Sequence, residues 1–173
     1  MSTPPMLRQM RHDVWATGKL LDHCRTLRPE QLELTVPGTY GTIRKTFLHI
    51  VGADERYLSR FRMPCDAMLH EDRNASAGLD EIATHLPHVR EGVEGLFGGS
   101  ELDPDRVIRD ERRKTAITAW VLLTQFAHHG SDHRAHIGTI LGANGLPTPE
   151  IDVWAYGGEN DAVGPLPEPR IPA

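Results

Sequence analysis

The strongest constraint on the fold is a set of apolar side chains that recur every three to four residues in separate segments. That period gathers them on one side of a helix and demands a second apolar surface to cover them. The clearest segment runs from about Thr118 to Ala143, with Ala119, Leu122, Leu123, Phe126, Ile137, Ile140 and Leu141 on one stripe and Gly142 and Gly145 near its end. Residues 6 to 27 repeat the pattern through Leu7, Met10, Val14, Leu21 and Cys24, widened by Leu20 and Leu27 and stopped by Pro29. From Ile43, with Thr42 as its N-cap, Phe47, Ile50, Tyr57, Leu58 and Phe61 mark another helix to about Met63, before Pro64. A further helix is expected over Leu79 to Phe97, interrupted by Pro87 and Gly92 and ended by Gly98-Gly99. Four such helices predict an all-α chain packed as a four-helix bundle.

The connectors fit that reading. Residues 29 to 41 hold Pro29, Pro37, Gly38 and Gly41, a loop composition, and residues 100 to 115 are dense in charge, with a short extended piece around Val107 and Ile108. Beyond Pro147 the chain becomes rich in Pro, Gly and acid. The expected division is therefore a bundle over 1–146 and an irregular C-terminal tail over 147–173, mobile or draped on the surface from Gly157 onward. With 39% apolar and 25% charged residues in 173, the chain can bury a core without disulfides. The net charge is −5, and Glu150, Asp152, Glu159, Asp161 and Glu168 set against Arg170 concentrate most of it in the tail. No basic stripe with interleaved aromatics is present, so nucleic acid is not an expected partner. The N-terminal residues lack a signal-like apolar run, and the most apolar window, Ala116 to Ala127, is too short to cross a bilayer. No membrane association and a cytoplasmic location are expected. Cys24 and Cys65 are read as unpaired thiols, with Cys24 in the core.

Four of the ten histidines fall within His128-His129-Gly130-Ser131-Asp132-His133-Arg134-Ala135-His136. At about 100° per residue, His129, His133 and His136 lie beside the apolar stripe while His128 points away. Imidazoles placed side by side toward a core need partners for their nitrogens, and a metal ion supplies one. Residues four apart on a helix converge easily on one ion, so His129 and His133 form a pair. The best third ligand is His49, at the flank of an apolar stripe next to Thr46, Ala53 and Tyr57. His12, His23, His70, His85 and His88 stand in more polar surroundings or less regular segments. Asp54 lies among Phe47, Ile50 and Phe61, an unusual place for a carboxylate. It either orients a ligating imidazole or pairs with an arginine such as Arg134.

With these residues in view, the chain resembles the DinB/YfiT-like family of four-helix-bundle metalloproteins. That family's last helix carries a motif like His-x-x-x-His-Arg-Gly-Gln-Ile, matched by His129 to Ile137. Its second helix carries a His-hydrophobic-x-x-Ala-acid segment, matched by His49-Ile50-Val51-Gly52-Ala53-Asp54. Trp15-Ala16 and Leu20-Leu21 look like its first helix, and the likeness covers about residues 7 to 146. Ala135 and His136 depart from the motif without removing a ligand. His136 is open to three roles, a fourth ligand, a neighbour that supports the ligands, or a replacement for the family's amide, of which the second is favoured. The expected ligands are thus His49, His129 and His133, with His136, Asp54 and Asp132 beside them.

Three histidines leave a coordination position open, the pattern of a catalytic centre. A thiol bound there would be presented as thiolate at neutral pH. The family resemblance implies transfer of a low-molecular-weight thiol, mycothiol or bacillithiol in type, onto a small electrophile. Sixteen of the nineteen basic residues are arginine, a high-GC bias that weakly favours mycothiol. The alternatives are a metal-dependent hydrolase using metal-bound water, for which Asp54 and Asp132 are the available carboxylates, and a non-enzymatic metal-binding stress protein. Arg56, Arg60, Arg112, Arg113 and Lys114 could neutralise a polar thiol cofactor, although a solvated basic surface is the simpler reading. One divalent ion is expected, zinc or nickel first, with iron or copper also compatible with three imidazoles. Relatives commonly form dimers, and Trp120, Trp154 and Tyr156 are candidate contact residues for a homodimer.

Overall fold

The computed structural model describes residues 3–63, 68–98, 102–110 and 114–165. The expectations attached to Pro64, Cys65, Gly99, Arg112, Arg113 and the chain from 166 onward lie outside the described residues.

Helix α1 (Pro5–Cys24) starts with a proline in its first turn, where a missing N–H costs nothing. After a single turn, α2 (Pro29–Leu32), the chain reaches α3 (Ile43–Arg60), whose N-cap Thr42 accepts a hydrogen bond from the Lys45 amide at 3.2 Å. The segment expected as one helix over Leu79 to Phe97 is two, α4 (Leu79–Ala83) and α5 (Leu86–Phe97). Pro87 explains the break, because it cannot donate to the preceding turn and instead occupies the first turn of α5. Gly92 does not interrupt α5. A β-carbon there would stand 2.8 Å from Leu58 Cδ1, so its absence lets α5 close on α3.

The connector after α5 forms an antiparallel hairpin, β1 (Val107–Asp110) and β2 (Thr115–Thr118), with Ile108 opposite Ile117. It leads into the long α6 (Ala119–Ala143), and a short α7 (Val153–Glu159) follows, capped by Asp152.

Helix α3 packs on α5 and α6, and α1 packs on the same two, so the four long helices close into a bundle. Leu20, Leu21, Ile43, Phe47, Ile50, Phe126, Ile137 and Ile140 fill its interior. Cys24 is buried among them, and burial pushes its thiol pKa up to about 12. One ionic contact is set into this core: Arg134 of α6 places Nη2 2.7 Å from Asp13 Oδ1 of α1 and donates from Nη1 to Thr17 Oγ1 at 2.9 Å. Gly130 makes room for it, since a β-carbon there would fall 2.5 Å from Asp13 Oδ1.

The C-terminal segment, expected to be irregular, carries one ordered element. Helix α7 lies on α1, with Tyr156 and Trp15 ring centroids 5.2 Å apart and Trp15 Nε1 donating to Glu159 Oε2 at 2.9 Å. His12 and His23 donate to the carbonyls of Ile151 and Pro147 at 3.0 and 2.8 Å. Tyr156 is therefore engaged within the chain, whereas Trp120 and Trp154 remain 51% and 75% exposed.

Candidate metal centre

Helices α3 and α6 bring His49, His129 and His133 together. Each can offer one ring nitrogen to a set lying within 4.8 Å of one another, and the Nε2 atoms of His49 and His129 are 2.9 Å apart. His129 and His133, one turn apart on α6, have ring centroids separated by 4.5 Å, and each lies under 5 Å from that of His49. His128, on the opposite side of the helix, is exposed.

The protonation of the cluster follows from its surroundings. His49 Nδ1 lies 2.7 Å from Glu71 Oε1, so the ring proton is held there and Nε2 keeps a lone pair directed at the other histidines. Burial, reinforced by the neighbouring imidazoles, lowers the pKa of His129 to about 3 and that of His133 to about 4. Both are neutral at pH 7, the form in which imidazole binds a metal. His129 Nδ1 is buried without a hydrogen-bond partner. Three imidazoles with converging nitrogens fit a divalent ion, for which this donor set suits zinc, nickel, iron and copper.

Two residues around the cluster had no sequence signal. Glu71 uses its second oxygen to accept the Tyr40 hydroxyl at 2.5 Å, and the Tyr40 ring stacks on His49 with centroids 4.0 Å apart. Burial and this hydrogen bond raise the Tyr40 pKa to about 12, so its proton stays in place. Both residues come from connectors, where no periodicity reveals direction. The Glu71 connector is pressed against α3: a β-carbon on Gly52 would meet the Leu69 carbonyl oxygen at 2.8 Å, while Glu55 Oε2 accepts the Leu69 amide at 2.7 Å.

The residues expected to flank the ligands are dispersed. His136 stands against His133, with their Nδ1 atoms 3.3 Å apart. Asp132 is exposed on the outer side of α6. Asp54 is fully buried with neither oxygen hydrogen-bonded, and burial together with the charge of Asp13 raises its pKa well above the ordinary carboxylate value. Both roles weighed for Asp54 are filled by other residues, since Glu71 holds His49 and Asp13 faces Arg134.

A closed helical bundle with three histidines converging from two of its helices defines a class of helical proteins equipped to hold one divalent ion. The chain belongs to the DinB family, whose sequence profile matches residues 1–162. Among solved structures it is similar to a DinB-like protein from Bacillus cereus, with a TM-score of 0.67 and 20% identity over 84% of this chain and 94% of that one. It is also similar to YfiT from Bacillus subtilis, described as a probable metal-dependent hydrolase with an unusual four-helix bundle topology. That match has a TM-score of 0.62 and 16% identity, covering 85% of this chain and 91% of that one. No curated protein matches the chain. Among the described residues no helix is long and apolar enough to cross a membrane.

Proposed function

We propose that this chain is a metal-dependent thiol S-transferase. In this reading His49, His129 and His133 hold one divalent ion, zinc or nickel, and a low-molecular-weight thiol of the mycothiol or bacillithiol type attacks a small electrophile. The observation that carries it is the convergence of three imidazole nitrogens within 4.8 Å, one of them oriented by Glu71. A divalent ion on such a set lowers the pKa of a thiol that reaches its open side. The chain contributes the rest. His129 and His133 need lose no proton at pH 7, Glu71 fixes the His49 tautomer, and the Tyr40 ring walls one flank. The thiol proton leaves to solvent, the sulfur lone pair forms the new S–C bond, and the displaced group departs with the electrons of the bond that breaks.

Glu71 already serves Tyr40 and His49 with its two oxygens, Asp132 is exposed, and Asp54 is buried without a hydrogen bond to any imidazole. A substrate that brings its own ionisable nucleophile therefore suits the site better than water, which wants a nearby base. Hydrolysis is the second reading, favoured by the description of YfiT.

Metal content of the purified protein, followed by the electronic spectrum of its cobalt form with and without mycothiol, tests the proposal. A thiolate-to-cobalt charge-transfer band that disappears in His129→Ala supports it. Ester turnover without thiol would favour hydrolysis, and metal binding with neither response would favour a non-catalytic protein. We also propose that the chain forms a homodimer through an exposed tryptophan, Trp120 of α6 or Trp154 of α7, which sedimentation equilibrium would reveal as a doubled mass that Trp120→Ser or Trp154→Ser lowers.

A further inference from the structure

We infer that Arg56 anchors a carboxylate on the molecule that enters the metal centre, so that the site selects acidic over neutral ligands. The inference rests on the metal reading above. Arg56 follows His49 by seven residues on α3, which returns it to the same face two turns later. Between them on that face stand only Gly52 and Ala53. A β-carbon on Gly52 would lie 3.1 Å from Arg56 Nη1, so the guanidinium folds back along the helix over the bare glycine, toward His49.

The other arginines of the bundle that are at least partly buried have carboxylate partners: Arg11 has Glu94, Arg44 has Glu33, Arg60 has Asp110 and Arg134 has Asp13. The guanidinium of Arg56, also half-buried, has no hydrogen bond or ion pair among the described residues. Two acids feel its charge: Glu71, whose oxygens are taken by the Tyr40 hydroxyl and the His49 ring, and buried Asp54, which makes no hydrogen bond. The same charge is felt at Tyr40 and His129, so Arg56 stands near the cluster.

The side chain names the ligand class: a half-buried guanidinium without a partner among the described residues is a fixed cation whose planar donors are matched to a carboxylate.

The test uses cobalt-loaded protein and two thiols of equal length, 3-mercaptopropionate and its uncharged amide, each titrated by the charge-transfer band. Wild type is expected to bind the acid about tenfold more tightly than the amide, the size of one charge-assisted contact. Arg56→Gln is expected to abolish that preference, read as the ratio of acid to amide affinity in the cobalt-loaded variant, and Arg56→Lys to restore part of it. A preference that survives in Arg56→Gln, no preference in wild type, absence of binding by either thiol, or equal weakening of both would overturn the inference. Failure of wild type to bind cobalt would overturn the metal centre itself and this inference with it.

Discussion

Because Glu71 holds the His49 proton on Nδ1, exchanging that carboxylate for an amide puts the tautomer at risk while hardly changing its shape. Glu71→Gln is expected to weaken zinc or nickel binding about 10- to 100-fold, read by competition with a chromophoric chelator. Unchanged affinity would show that the contact has no part in the site. The lowered pKa values of His129 and His133 act on stability as well. Between the unfolded value of 6.5 and the folded values of about 3 and about 4, the unfolded chain binds protons that the native chain does not. Stability of the metal-free protein must therefore fall as pH drops through that window. Denaturant midpoints should be lower at pH 5 than at pH 7, and the difference should shrink in His129→Gln. At this scale the three histidines were legible because two sit four residues apart and the third borders a helical stripe. Glu71 and Tyr40 were not, since each reaches the site from a connector whose path depends on tertiary contacts.

Gly130 illustrates how one absent side chain governs a pair of elements. On helix propensity alone, Gly130→Ala would stabilise α6 by roughly 1 kcal/mol. The added methyl would instead enter the space of the Asp13 carboxylate and Arg134 Nη1, buried charges that have nowhere to retreat. A net loss of about 3 kcal/mol or more is expected in urea unfolding, and a stabilised protein would refute the packing described here. The boundaries of α1, α3 and α6 could be read from hydrophobic spacing, because each buries a continuous face. The break between α4 and α5 was harder to place, as Pro87 is compatible with either a kinked helix or a new start, and the local packing decides. Helix α7 was missed because its seven residues include two glycines and carry little apolar period; it is held by the Trp15, Tyr156 and Glu159 contacts supplied by α1.

At the level of the whole molecule, those contacts make the stretch from Pro147 to Glu159 a covering for α1. A chain ending at 146 is expected to keep its metal site but to lose about 2 kcal/mol or more, through exposure of Trp15 and of the apolar surface around it. Circular dichroism melts and metal titration of the shortened chain would check both halves of that statement, and an unaltered melt would mean that α7 adds nothing. The buried Arg134–Asp13 contact has a wider consequence. Leucine-rich helices can slide against one another by a full turn, about 5.4 Å, and still meet apolar surface with apolar surface. Such a slip between α1 and α6 would strand a guanidinium and a carboxylate in hydrocarbon, so only one vertical setting of α6 is tolerated. The electrostatic bolt thereby fixes the height at which His129 and His133 are presented to their counterpart across the bundle.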